Sequence, residues 1–401
     1  MYQFIANKAF CRLITASLLL FLTNYTFAKS LTIAEATRLA LKDDYVLKAI
    51  HARSQSMSEL SVAMEKLPDP QLKLGFANLP TDTFNLGQEA MTQAVIGLRQ
   101  SFPRGHTRSL STLRMNESVA RSNAEAEDRE YSVKLAVREE YIHVYLHQER
   151  QKILQQSLLV FSDLAEITRD YYATGYAHQQ DVIQAQLELL KVEERLSRIL
   201  QQEEETRARL AEWIGTHAYR KLDPQWPKIA EPMPAHQIKI GLVDHPRIRA
   251  WQHEIAKART SEEIARQAYK PGFAVDLAYG GRGGQNPDGT DRSDMLSLFV
   301  TMDIPLFTKN RQDRVLASSI AQTSATEFAR EDIYRSMKAR IDQNAATLTR
   351  EQERLGLYED HLLPQAAFNA EASFAAYQNT IDDLTTLMRA RIGEYELKLS
   401  H

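Results

Sequence analysis

Four segments of the chain alternate between apolar positions and mostly small or polar ones. Leu72, Leu74 and Phe76 fall on one side of the first, with Lys73, Gly75 and Ala77 on the other. Ala94, Ile96 and Leu98 alternate with Gln93, Val95, Gly97 and Arg99 in the second. Phe273, Val275, Leu277 and Tyr279 alternate with Ala274, Asp276, Ala278 and Gly280, and Leu296, Leu298, Val300, Met302 and Ile304 with Ser297, Phe299, Thr301 and Asp303. Period-2 patterning predicts strands with one apolar face over residues 71–79, 92–101, 273–280 and 295–304. Runs of about 9–11 residues match a tilted strand crossing a bilayer, and two soluble hairpins capping a helical bundle would give the same pattern. Polar loops at residues 80–91 and 281–294 join the members of each pair.

The helical pattern is equally marked. From Arg104 to Ala173 there is no proline and one glycine, Gly105, so about 70 residues can run as a single helix roughly 105 Å long. Leu154, Leu158, Phe161, Ala165, Thr168 and Tyr172 follow the 4-3 spacing of a coiled-coil seam. A second long helix is predicted over about residues 308–377, with a kink at Pro364. Both carry many charges, which places them in water or against partner helices and not in lipid.

These elements occur twice, at a spacing of about 200 residues. Asp44-Tyr45-Val46-Leu47 and Asp244-His245-Pro246-Arg247-Ile248 each open a helix, and Pro70 and Pro271 each precede an alternating segment. Ser101-Phe102-Pro103 and Asp303-Ile304-Pro305 each introduce a long helix. The chain therefore divides into a first repeat at residues 29–221, a linker at 222–234 containing Pro224, Pro227, Pro232 and Pro234, and a second repeat at 235–401. Trp226 of the linker is expected to pack against the helices. Four strands cannot close a membrane barrel, since about eight is the smallest closed form, and open sheet edges are not tolerated in lipid. Such a chain must share its barrel; two copies would supply eight strands and three would supply twelve.

The N-terminus has a different character. Lys8 and Arg12 precede an apolar run from Leu13 to Leu22, and Thr26-Phe27-Ala28 supplies small residues for cleavage, so residues 1–28 read as a secretory signal peptide. Its removal takes the formal charge from -3 to -5, by loss of Lys8 and Arg12. Cys11 is the one cysteine, which excludes disulfides and cysteine zinc sites. The pI near 6.4 leaves no basic footprint for nucleic acid. A mean hydropathy of -0.41 excludes a bundle of transmembrane helices but not a β-barrel, whose strands are apolar on one face only.

Signal peptide, duplicated helix–strand–strand–long helix halves and a turn after each long helix together resemble the TolC-like outer-membrane efflux proteins. The resemblance runs from about Leu31 to His401 and starts with Leu31-Thr32-Ile33-Ala34-Glu35-Ala36. Pro68-Asp69-Pro70-Gln71-Leu72-Lys73-Leu74-Gly75, Asn78-Leu79-Pro80, Met91-Thr92 and Gln100-Ser101-Phe102-Pro103 resemble the outer-membrane components of heavy-metal RND efflux systems of the copper/silver and cobalt–zinc–cadmium types. The resemblance implies a mainly α protein with a membrane β part, a homotrimer whose helical tunnel joins a shared twelve-stranded barrel in outer-membrane lipid. It implies a passive exit duct, fed by a periplasmic adaptor (membrane fusion protein) and an inner-membrane pump, with no cofactor and no chemistry of its own. The alternatives are a duct for drug efflux or one-step protein secretion, and a periplasmic coiled-coil adaptor.

By the same resemblance the adaptor-facing tip turns are Thr174, Gly175 and Tyr176, within residues 174–180, and Asn379 and Thr380, within residues 378–382. Gly175 is free to take positive φ, and where the second turn lacks glycine, Asn379 or Thr380 must turn the chain. Asp382 and Asp383 are candidate aperture carboxylates, which across three chains would select cations; the alternative is that they cap the following helix. That helix has about 18 residues left, against about 33 for its first-repeat equivalent. His143 and His147, beside Glu139 and Glu140, have a spacing that can hold zinc on one helix face, but H-E-x-x-H is absent and the pair reads as solvated or interhelical. Gly280-Gly281-Arg282-Gly283-Gly284 precedes no helix and reads as a surface loop, not a phosphate site. No catalytic constellation is apparent.

Overall fold

The computed structural model describes residues 30–379 and 381–401; the predicted signal peptide and Thr380 lie outside the described residues. The elements run α1 (Ile33–Asp43), α2 (Tyr45–Glu65), β1 (Gln71–Ala77), β2 (Gln93–Phe102), α3 (Thr107–Ala173), α4 (Gln179–Ile214), α5 (Ala235–Gly241), α6 (Pro246–Gln267), β3 (Phe273–Gly281), β4 (Met295–Met302), α7 (Gln312–Leu357), α8 (Leu363–Gln378) and α9 (Leu384–Ser400). They fall into two compact units, each taking segments from both sequence repeats, so the units are interleaved across the linker.

The unit formed by Tyr45–Glu130 and Met233–Ala345 holds all four strands. They form one antiparallel sheet in the order β1-β2-β3-β4, in which β2 of the first repeat pairs with β3 of the second. The register aligns Leu72, Leu98, Leu277 and Leu298 in one row and Leu74, Ile96, Tyr279 and Leu296 in another on the same face. All eight of these side chains are exposed, from 48% for Leu277 and Tyr279 to 73% for Leu296. The opposite face carries the row Lys73, Gly97, Ala278, Ser297, and beside it Arg99 approaches Asp276 at 3.9 Å. Both outer strands have one unpaired edge among the described residues.

Strand ends differ from the sequence expectation for local reasons. β1 stops at Ala77 because Asn78 takes φ 55, its amide donating to the Met91 carbonyl at 3.1 Å. β4 stops at Met302, two residues short of Ile304, where the Asp303 N–H turns to the Gly272 carbonyl at 2.8 Å. The residues 281–294 loop, read from sequence as a plain surface loop, is tied down: Arg292 donates to the carbonyls of Gly87 (3.2 Å) and Glu89 (2.9 Å). The α3 and α6 segments of this unit are joined by partly exposed ion pairs, Arg247 to Asp128 at 3.0 Å and Arg121 to Glu254 at 2.6 Å. Each contributes at most about 1 kcal/mol.

The other unit takes the N-terminal stretch to Asp44, Tyr131–Pro232 and Ala346–His401. One of its cores joins Ala36 and Ala40 of α1 to Val133, Val137, Tyr141 and Val144 of α3 and Leu210 and Ile214 of α4. The Tyr141 hydroxyl donates to the Leu31 carbonyl at 2.8 Å, and that carbonyl also accepts the Asp223 N–H at 3.0 Å. Trp226 packs edge-on against Tyr145 at 5.1 Å. The second core joins Leu154, Phe161, Leu164 and Ala165 of α3 to Ala185 and Val192 of α4, Tyr377 of α8, and Leu384, Leu387, Met388 and Tyr395 of α9. The seam expected on α3 is buried at Leu154, Phe161, Ala165 and Thr168 and half-buried at Leu158, but Tyr172 turns outward at 48% exposure. The 3.6-residue period drifts off a 3.5-residue seam, so by the last turn Tyr171 has replaced it.

The second long helix is helical without a break from Gln312 to Gln378, and its irregularity falls just before Pro364. A π-helical turn at Tyr358–Leu362 separates α7 from α8, and the Leu363 N–H donates to the Tyr358 carbonyl five residues back. Proline lacks the N–H that would reach its i−4 carbonyl and its ring crowds that position, and widening the preceding turn accommodates both effects.

Candidate functional site at the helical tip turns

The two turns proposed as functional lie in the same compact unit and meet through tyrosines. Tyr171, in the last turn of α3, stacks on Tyr377, in the last turn of α8, with ring centroids 5.6 Å apart. Tyr377 is buried, and its phenol pKa is raised by that burial. The pair's trace in the sequence is a tyrosine in the last helical turn before each break.

α3 ends in a Schellman motif. Gly175 adopts φ +83, its N–H donates to the Tyr172 carbonyl at 3.1 Å, and the Tyr176 N–H donates to the Tyr171 carbonyl at 2.8 Å. The accompanying side-chain contact is Tyr171 against Tyr176, with centroids 6.4 Å apart. Thr174 caps through its hydroxyl, which donates to the Asp170 carbonyl at 3.0 Å. Tyr176 is 74% exposed. The next helix begins after His178, whose N–H donates to the Asp181 carboxylate at 2.8 Å.

The second turn uses other means. Asn379 does not enter the left-handed region but sits at φ -90, ψ 11, and its side-chain amide donates to the Ala375 carbonyl at 2.8 Å. The Ile381 N–H donates to the Ala376 carbonyl at 2.9 Å, and Ile381 itself is largely exposed. Thr380 lies outside the described residues. Asp383 is the N-cap of α9: its carboxylate accepts the Thr386 N–H at 2.8 Å, and these hydrogen bonds hold its pKa below the usual carboxylate value. Asp382 accepts the Asp383 N–H at 2.9 Å. Asp383 thus caps the helix while Asp382 bonds only to the N–H of the cap residue, and both remain exposed at the turn.

The other candidates do not converge. His143 is exposed and His147 half-buried, its pKa lowered by burial and by the nearby Arg150 and His143. Glu203 beside them is occupied by Gln148, Gln151 and Arg207. Among the described residues no group of three or more His, Cys, Asp or Glu is placed to hold a metal ion, and no helix is long and apolar enough to cross a membrane.

No protein-family model and no curated protein matches this sequence. Solved structures do. CusC, described for its folding and transmembrane channel formation, superposes with a TM-score of 0.76 at 15% identity over 92% of this chain and 87% of its own. VceC, an outer membrane protein of Vibrio cholerae, gives 0.73 at 15% identity over 92% of both chains. The open-state MtrE outer membrane channel of Neisseria gonorrhoeae gives 0.71 at 16% identity over 92% of this chain and 84% of its own. The fold is that of the TolC-like outer-membrane channels.

Proposed function

We propose that this chain is the outer-membrane exit duct of a tripartite efflux system, conducting cargo passively from a periplasmic adaptor and an inner-membrane pump. The observation that carries the reading is the four-stranded sheet, with one continuous exposed apolar face, an opposite face that holds all its charged residues, and two open edges. In lipid an apolar face is stable and an open edge is not, so copies must join edge to edge. The resemblance to TolC-like proteins favours three copies and twelve strands over two copies and eight. Purification settles the matter: an outer-membrane, detergent-requiring trimer with heat-modifiable migration is expected. A monomer that stays soluble without detergent by light scattering would sink the reading.

On this reading Thr174, Gly175, Tyr176, Asn379 and Thr380 face the adaptor, and Asp382 and Asp383 line the aperture. Both acids are exposed at the turn, which leaves them available to a ring of carboxylates even while Asp383 caps α9. The cargo class rests on the phrases at residues 68–80 and 91–103, which favour heavy-metal efflux over drug efflux or protein secretion. Loss of the chain should then sensitise cells to transition-metal ions more than to dyes or bile salts. Equal sensitisation to both would remove the metal assignment and leave the duct intact.

A further inference from the structure

We propose that Lys73 sets the charge selectivity of the strand-built part of the duct, drawing anions through it and opposing free cations. The inference rests on the duct reading, in which the apolar sheet face meets lipid and the opposite face lines the lumen. On that lumen face the charges are Lys73, Arg99 and Asp276. Arg99 and Asp276 sit in one row at 3.9 Å and largely cancel. At the foot of the sheet, Arg104 is likewise engaged, by Asp303 at 3.1 Å and the Ala268 carbonyl at 3.0 Å. Lys73 is exposed and has no ion pair among the described residues.

Its row-mates are Gly97, Ala278 and Ser297. None carries a charge or enough bulk to cover an ammonium, so Lys73 is the one large side chain at its level. The other polar residues of this face, Gln71, Gln93, Ser101, Ser297 and Thr301, are neutral. Three copies would therefore set a ring of three uncompensated ammonium groups in a lumen whose walls are otherwise small or neutral at that height. A ring of fixed cations raises the local concentration of anions and lowers that of cations. A free metal cation meets a barrier at this level, so metal cargo passes it more readily as an anionic complex than as the free ion.

The test is the reversal potential of the purified oligomer in a planar bilayer under a KCl gradient. For an ion passing about 10 Å from three ammonium groups in water at ~0.1 M salt, Coulomb's law with screening gives a chloride-to-potassium permeability ratio about fourfold higher than without them. Lys73→Gln should lower the ratio by that factor, and Lys73→Arg should preserve it. The difference should shrink at 1 M salt, where the screening length is about 3 Å. Channels that conduct normally with an unchanged ratio in Lys73→Gln would overturn the proposal while sparing the duct. A folded, reconstituted wild-type protein that passes no current would overturn the duct reading, and this inference with it.

Discussion

Gly175→Val probes the first tip turn with little ambiguity, because a side chain there meets no steric obstacle. A Cβ built on Gly175 has no neighbour within 4 Å, so the whole cost lies in holding φ +83. For an L-residue that cost is about 1–2 kcal/mol, less for Asn and more for a β-branched residue. The Schellman motif closes on the N–H groups of Gly175 and Tyr176, bonded to the Tyr172 and Tyr171 carbonyls. Amide hydrogen exchange at Tyr176 therefore reads the opening of the turn directly. About 1.4 kcal/mol corresponds to tenfold faster exchange, so Gly175→Ala should speed Tyr176 exchange about 5–30-fold. Gly175→Asn should fall below that and Gly175→Val at or above it. Amides of the core around Phe161 and Leu387 should be unaffected, and the protein's abundance should be normal. Unchanged Tyr176 protection in Gly175→Val, or an Asn variant worse than Ala, would refute the backbone argument. If the turn faces an adaptor, the same variant assembles normally and loses efflux; lost assembly instead would make the turn a folding element.

His245 caps α6 by accepting the Arg247 N–H on Nδ1 at 3.2 Å, and burial, then Arg247 and Arg249, depress its pKa against the opposing pull of Asp128. The unfolded chain then binds the proton more readily, so stability should fall as pH drops below the unfolded value of about 6.5; His245→Asn, which caps without titrating, should flatten melting temperature against pH there. Tyr141→Phe should cost only about 0.5–1.5 kcal/mol in denaturant titrations, because the Leu31 carbonyl keeps the Asp223 N–H, whereas Tyr141→Ala should cost about 3–5 kcal/mol. Asp382→Asn with Asp383→Asn keeps a capping oxygen and removes up to six charges from a trimer, so lower cation selectivity with unchanged Thr386 amide protection is expected; unchanged selectivity would leave capping as the only role.

The strands were legible because a half-exposed sheet imposes a strict two-residue period, and Leu72, Ile96, Leu277 and Leu298 obey it. Their common sheet was legible only through the duplication, since nothing local announces that Gly97 lies beside Ala278. The long helices were legible from the absence of proline, yet the π turn at Tyr358 was not: Pro364 signals a break, but the way the preceding turn absorbs it depends on backbone geometry. The tip was legible in part. Gly175 declares a positive φ by its type, while the Tyr171–Tyr377 stack depends on how α3 and α8 pack and leaves no spacing signal. The ties from Arg292 to Gly87 and Glu89 were equally hidden, being contacts between loops about 200 residues apart.

The two turns show what a duplication preserves and what it releases. Both reverse the chain between antiparallel helices, and both rest on tyrosines packed in the same core. The first is closed by backbone geometry: one glycine at φ +83 and two main-chain hydrogen bonds. The second has no glycine; besides the Ile381 N–H on the Ala376 carbonyl it relies on side chains, the Asn379 amide on Ala375 and the Asp383 carboxylate on Thr386. A backbone device fails when its glycine is replaced, but a side-chain device can be altered by substituting the one side chain that makes it, Asn379 or Asp383, without breaking the chain's path. The second turn is therefore free to vary its charge, because either Asp or Asn at position 383 satisfies the cap. A position whose structural duty is met equally by a charged and a neutral residue is one where charge can be set by another demand. That is the condition an aperture carboxylate must satisfy, and the Asn substitutions at Asp382 and Asp383 measure whether the demand exists.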